Sequence, residues 1–424
     1  MKQVEIYCKN TQSSHLYPLG TSLLEISRDL KIETENTVCG AIVNHQVKEL
    51  SFGVVKNKQI EFFDVSHPDG IRMYIRSLIF VLYVAVKEVF PHVELRIQKG
   101  ISNGYYCELN GLERTITEED IQAIKRQMNW WIEKNIPFVK KGMLTEEVVD
   151  LLMQQGLEEK ARLFEQQGNL FSSLYFLNGL GNYFYGHLLP STGYISNYGL
   201  VPYFDGLLLQ VPRPDDFTQL QKLEKLTKLF GIYQEHKDWA EILNVSTIGH
   251  LNGFTLKKRG GDIIKISEAL HEKKIAEIAN LIHARNGDVR VVLVAGPSAS
   301  GKTTFSKRLG VQLAVNGLHP YQISIDNYFV DREKTPRDVH GNFDFEALEA
   351  IDIEFFNQQL IELLAGKEIR LPKFDFNRGK RYMNGDILKL NKDDILIIEG
   401  IHGMNPNLLP HINEKNTFKI LFLP

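Results

Sequence analysis

The sequence predicts a multidomain protein that joins α+β units at the front to a doubly wound α/β unit at the back. Three observations lead there. At 424 residues the chain exceeds what one hydrophobic core organises. Its first half mixes short strands and helices without regular alternation. From Val289 onward, apolar β runs alternate with helical segments, the pattern of a parallel sheet covered on both faces.

Composition narrows the class. Hydrophobic content of 43% and charged content of 24% are those of a globular protein, and a net charge of −3 supplies no global field for nucleic acid or membrane. Three scattered cysteines, Cys8, Cys39 and Cys107, form no disulfide framework, so a reducing cytoplasm is expected. The start MKQVEIYCKN lacks the apolar stretch of a signal peptide. The apolar run Ser77 to Val86 is half of what a membrane span needs and reads as a buried helix.

Residues 1–64 hold strands in VEIYC, AIVN and QIEFFDV, with Ser22 and Glu25 as a capping box for a short helix through Leu30. Residues 65–214 open with a helix over Ile75 to Phe90 and continue through an alternating stretch with a glycine turn. An amphipathic helix over Glu118 to Lys134 follows, then one capped by Thr145. Residues 215–287 show helical periodicity in LQKLEKLTKLFGIY and ISEALHEKKIAEIANLIHARNG, with Asn286 and Gly287 as a stop, and read as a helical connector. Residues 288–424 supply VRVVLVA, a helix after Lys302, YQISID, a helix within Phe345 to Ala365, DILIIEG and FKILFLP.

Chemistry concentrates in this last part. GPSASGKT, Gly296 to Thr303, fits the phosphate-loop pattern and lies between a strand and a helix, as that loop requires. Gly296 and Gly301 let the backbone N–H groups of Ser298, Ala299, Ser300 and their neighbours, including Thr304, turn toward phosphates. Lys302 reaches the outer phosphates and Thr303 can hold Mg²⁺. Asp326 stands at the carboxyl end of a parallel strand, where open α/β sheets bind ligands, and suits a general base; the alternative is a turn cap. Glu399 ends its strand in the same way and could hold a metal-bound water, or be a plain strand-end carboxylate.

The order GPSASGKT, SIDNYF, GNFDFEAL, LPKFDFNRGKR, IIEGIHG resembles the uridine kinase and phosphoribulokinase family, in particular its nucleoside kinases. The resemblance implies ATP and Mg²⁺ as cofactors and transfer to a nucleoside 5′-hydroxyl of the uridine or cytidine type. It makes Asp326 the base, Asp344 the grip on ribose hydroxyls, Glu399 a neighbour of Mg²⁺, and Phe374 and Arg381 neighbours of the nucleoside. Read without it, Asp344 is a helix cap and Arg381 a solvated loop cation. Departures touch base specificity: Asn327, Tyr328 and Phe329 follow the aspartate, Gly379 stands near the usual loop histidine, and Phe374 replaces a tyrosine. Family members close an arginine-bearing lid encoded after the strand that FKILFLP resembles. Chain beyond Pro424 is therefore expected, and the sequence as given is expected to bind nucleotide with little turnover. Arg378, Lys380 and Arg381 keep a phosphorylated sugar open as acceptor.

The front half resembles threonyl-tRNA synthetases: residues 1–64 their TGS domain, a β-grasp module, and residues 65–214 the editing-type domain, with PSTGYI adding to the likeness. Aligning AVKEVFP and PSTG puts Arg76, Phe80, Phe184 and Leu188 on that domain's four metal-ligand positions, and no two of the thirteen histidines stand three or four apart, so no zinc is expected. His187 reads as a packed residue, Trp130 and Trp131 as a domain contact, and Lys257 to Arg259 as a solvated basic turn. Editing of mischarged tRNA is not expected; a fold retained for docking, regulation or RNA contact, with tRNA or the ribosome as partner, is the expected use, and a nucleotide-switched RNA- or ribosome-associated regulator is the reading from another class.

Overall fold

The computed structural model describes residues 2–213, 215–285 and 287–422. Asn286, half of the expected helix stop, lies outside them. The chain divides into two compact units, Met1–Arg259 and Gly260–Pro424.

The first unit begins with β1 (Gln3–Cys8), β2 (Ser13–Pro18), α1 (Leu23–Asp29), β3 (Gly40–Val43), β4 (Gln46–Glu49) and β5 (Lys58–Phe63). These strands form one sheet in the order β2-β1-β5-β3-β4, with β1 parallel to β5 and the other neighbours antiparallel. Leu23 and Ile26 of α1 are buried among Val4, Ile6, Val43 and Ile60 of the sheet. The capping box is present: Ser22 Oγ accepts from the Glu25 N–H at 3.2 Å, and Glu25 Oε2 accepts from the Ser22 N–H at 2.8 Å.

Then come α2 (Pro68–Val89), β6 (Glu94–Ile101), β7 (Gly104–Asn110), α3 (Glu118–Lys134), β8 (Val139–Leu144), α4 (Thr145–Gln154), α5 (Glu158–Gln167), β9 (Phe171–Leu177), β10 (Leu180–Asn182), β11 (Gly199–Tyr203) and β12 (Gly206–Gln210). Two antiparallel sheets result, β11-β12-β7-β6 and β10-β9-β8. Helix α2 starts seven residues before the predicted Ile75, because Pro68 suits a first turn and His67 Nδ1 accepts from the Asp69 N–H at 3.1 Å. Phe80 to Val86 are buried in the core, as read from the apolar run. Among the described residues no helix is long and apolar enough to cross a membrane.

The expected connector is split. Helices α6 (Thr227–Ile242) and α7 (Ile248–Leu256) belong to the first unit, and α8 (Gly260–His283) to the second. There α8 lays Ile275, Ala279 and Ile282 into the core, and its Glu268 and Glu272 pair with Arg308 at 3.0 and 2.9 Å. The second unit continues through β13 (Val291–Ala295), α9 (Lys302–Val315), β14 (His319–Ser324), α10 (Ile353–Leu364), the short strands β15 (Ile369–Arg370), β16 (Lys373–Asp375), β17 (Lys380–Tyr382) and β18 (Ile387–Leu388), then β19 (Asp394–Gly400) and β20 (Thr417–Leu421). Its main sheet is fully parallel, in the order β14-β19-β13-β20. Every residue of β13 is buried, as a central strand covered on both faces demands.

Candidate active site

Strand β13 delivers the chain into the phosphate loop, whose backbone is turned by two left-handed residues, Ala299 at φ 57° and Gly301 at φ 96°. Gly301 is the N-cap of α9 and offers no side-chain cap, so the first N–H groups of that helix stay open to an anion. Lys302 Nζ donates to the Pro297 carbonyl at 2.8 Å, folding the ammonium over the loop. Ser300 Oγ is closed to solvent and has no hydrogen-bond partner.

The parallel register sets the carboxylates. Glu399 on β19 lies opposite Val294 on one side and Ser324 on the other, at the carboxyl edge of the sheet. Thr303 Oγ1 stands 2.9 and 2.8 Å from the two Glu399 carboxylate oxygens, its hydroxyl donating into that carboxylate. Asp326 follows β14 by two residues and sits in a 3-10 turn, Ile325–Tyr328, rather than on the strand itself. Burial and then the Glu399 charge raise its pKa above the usual aspartate value, while Lys302 and His402 act the other way. Lys302, Glu399 and Asp326 thus share one electrostatic site. Beside it a cavity of 380 Å³ is bounded by Gly296, Pro297, Ser298, Glu346, His402 and Met404 among others. Thr304 is exposed on the first turn of α9.

The Phe374 N–H donates to Asn327 Oδ1 at 3.3 Å, which fixes β16 next to the Asp326 turn. Phe374 joins an aromatic wall: its ring lies 5.6 Å from Phe329 and 5.1 Å from Phe376, and Phe329 is 6.4 Å from Phe345. Asp344 Oδ1 accepts from the N–H groups of Glu346 and Ala347 at 3.0 and 3.1 Å. It does not cap the following α-helix. That helix starts only at Ile353, and Asp352 caps it by accepting from the Phe355 N–H at 3.1 Å. Arg381 is no free loop cation either: it pairs with Asp352 at 2.8 Å and lies over the Phe355 ring at 4.6 Å. A side chain at position 379 would meet Arg332 Cβ at 2.7 Å, so the glycine there is required by its neighbour.

The model of the phosphoribulokinase / uridine kinase family matches residues 291–422, which contain all of these groups. The C-terminal unit carries a kinase domain of this family. Among solved structures the chain is similar to a Bacillus stearothermophilus protein described as a "possible uridine kinase", at 26% identity over 35% of this chain and 79% of the other, with a TM-score of 0.30. It is similar also to D-glycerate 3-kinase from Cryptococcus neoformans var. grubii, at 18% identity over 30% of this chain and 52% of the other, with a TM-score of 0.23.

The N-terminal part is homologous to threonine–tRNA ligases. That of Syntrophomonas wolfei subsp. wolfei is 28% identical over 182 residues, 43% of this chain and 28% of the relative. That of Thermotoga neapolitana is 26% identical over 191 residues, 45% of this chain and 29% of the relative. The match thus spans less than a third of these enzymes. Three of the four positions aligned with metal ligands stand close together, and the fourth, Leu188, is buried in the same core. Phe80 stacks 5.2 Å from Phe184 and 5.8 Å from Phe138, and the Arg76 guanidinium fills the space over Gly186 and donates to the His187 carbonyl at 3.2 Å. Among the described residues no group of three or more His, Cys, Asp or Glu could hold a metal ion. His187 Nε2 lies 3.0 Å from the Val47 carbonyl, in a packed setting. Trp131 is buried with Nε1 donating to Glu88, whereas Trp130 is 45% exposed under Lys134.

Two features of the kinase domain escaped the sequence reading. The pairing of Arg381 with Asp352 joins residues 29 apart and had no local sign. His402 was visible in IIEGIHG but had no task, since its neighbours come from other segments of the chain.

Proposed function

We propose that the kinase domain transfers the terminal phosphoryl group of ATP to the 5′-hydroxyl of a nucleoside of the uridine or cytidine type. The observation behind this reading is the union of an uncapped phosphate loop, the Thr303–Glu399 pair and the raised carboxyl of Asp326 on one sheet edge. The residues fit a nucleotide: open N–H groups at Gly301 and beyond, Lys302 folded over the loop, and a partnerless Ser300 hydroxyl. Thr303 and Glu399 would hold magnesium, which neutralises charge on the phosphoryl oxygens. Asp326 accepts the proton of the acceptor hydroxyl on its carboxylate, and burial keeps that carboxylate basic enough for the task. Asp344 orients the sugar and Lys302 fixes the phosphates, so the domain works mainly by positioning and charge neutralisation.

The aromatic wall of Phe329, Phe345, Phe374 and Phe376 favours a flat base as the acceptor's other end. A phosphorylated sugar is served less well by three nearby arginines, which are engaged, although Arg378 and Lys380 are exposed and Arg381 Nη1 has no hydrogen-bond partner. Arg381 is on Asp352, Arg337 on the Gly341 carbonyl and the Phe343 ring, and Arg332 on the Phe376 carbonyl.

For the front half, the sheet order with its parallel β1–β5 pair supports a TGS-like β-grasp module, and likeness to threonine–tRNA ligases supports an editing-like domain. With an aromatic stack at the metal positions, tRNA or ribosome contact is the role we assign, in the cytoplasm, where the three buried free thiols stay reduced. The test supplies the full-length protein with labelled ATP and a panel of nucleosides, sugar phosphates and tRNA. Label is expected on uridine or cytidine, falling about a hundredfold or more in Asp326→Asn while Mg-ATP binding persists. Label on a sugar bisphosphate alone would overturn the assignment.

A further inference from the structure

His402 has no part in that chemistry, although it stands in the turn just past β19 and borders the same cavity as Gly296, Pro297 and Ser298. Its Nε2 is closed to solvent and has no hydrogen-bond partner. Its charged surroundings come from several elements. Asp326 in the 3-10 turn, and Glu346 and Glu349 in the segment before α10, act on it through their charges, and the Ala347 backbone bonds the ring. All of these favour the imidazolium, yet burial opposes them and prevails, so the free ring stays neutral more readily than an ordinary histidine. Lys302 of α9 and Glu399 of β19 act on the same Asp326 carboxylate.

A neutral ring bordering the phosphate-loop cavity is poised to change state. Phosphates entering beside Pro297 and Ser298 bring several negative charges into a partly desolvated space, which strengthens every pull toward protonation. We infer, on the footing of the nucleotide-binding reading, that His402 takes up one proton when nucleotide phosphates fill the cavity it borders, and as imidazolium offsets their charge. The proton comes from solvent and returns there when the phosphates leave. His402 itself touches no bond that is made or broken.

The test is calorimetric titration of Mg-ATP into the protein at neutral pH, in two buffers of different ionisation heat. Uptake of about one proton per nucleotide is expected, falling to near zero in His402→Gln, whose amide hydrogen-bonds but does not titrate. Unchanged uptake in His402→Gln would assign the proton to another group such as Glu346 and overturn the proposal, as would absence of uptake in the unaltered protein. No binding heat at all in the unaltered protein would remove the nucleotide reading itself, a separate failure. If the variant does not fold, ring resonances of the unaltered protein decide. One of thirteen histidines should titrate at least about two units higher with Mg-ADP bound, the rise that uptake of most of a proton at neutral pH requires, and no such shift sinks the idea.

Discussion

Gly296 has no room for a side chain. A Cβ there would lie 2.4 Å from the Phe422 carbonyl oxygen, and 3.2 and 3.3 Å from Ser300 Oγ and Lys302 Cγ. The first of these is backbone and cannot yield as a flexible side chain does, so Gly296→Ala displaces the loop. Mg-ATP affinity is expected to fall at least about tenfold, roughly 1.4 kcal/mol, with the rest of the unit folded. Calorimetry measures it, and unaltered affinity would mean the phosphates lie elsewhere. The loop was legible in the sequence because its geometry is local: two glycines, a lysine and a hydroxyl within eight residues make the site whatever surrounds them. Arg381 and His402 were not. Their states depend on Asp352, Phe355, Ala347 and Asp326, partners the fold brings in from far along the chain.

Helix ends show the same contest between local signals and distant partners. Thr145 was expected as a cap, but its hydroxyl is 2.9 Å from Ser172 Oγ on β9, and the Glu147 carboxylate instead accepts from the Leu144 N–H at 3.2 Å. The helical period of LQKLEKL is overruled because that stretch bonds to β12 and its edge: Gln221 N–H donates to the Val211 carbonyl at 3.2 Å, and α6 begins only at Thr227. Packing also decides a charge on α5. Lys160 donates to Asn182 Oδ1 at 2.6 Å, and burial, weakly opposed by Glu94, lowers its pKa to about 8. Since the unfolded lysine titrates near 10.5, the unfolded chain binds more protons between those values, and stability is lost as pH falls from about 10.5 to 8. Lys160→Met removes that loss. It should stabilise the first unit at pH 7 by about 1 kcal/mol, less than the full shift implies because part of the side chain stays wet, with no gain near pH 10.5. Urea unfolding at the two pH values measures it, and an equal effect at both would show that charge is not the cause.

At the scale of the whole molecule, each unit has a core of its own, and only the second contains the phosphate loop. The first gathers α2 and its sheets around Phe80 and Tyr74, and the second is layered from α8 through the parallel sheet to α10. The class of each was legible from alternation and periodicity, but the ownership of the connector was not. Helix α8 is claimed by the second unit through Ile275, Ala279 and the Arg308 ion pairs, which no local pattern announces. Heating should then give two transitions. A ligand that binds only one folded unit stabilises that unit alone, by about 2.7 kcal/mol at a hundred times its dissociation constant. For a unit of this size the shift is about 5–10 °C. Calorimetric scans with saturating Mg-ATP should therefore move one transition by that amount and leave the other in place. Gly296→Ala should shrink the shift, whereas Lys160→Met should move only the transition that nucleotide does not touch. If both transitions rose together with nucleotide, the two cores would be thermodynamically linked and the front half would sense the occupancy of the phosphate loop.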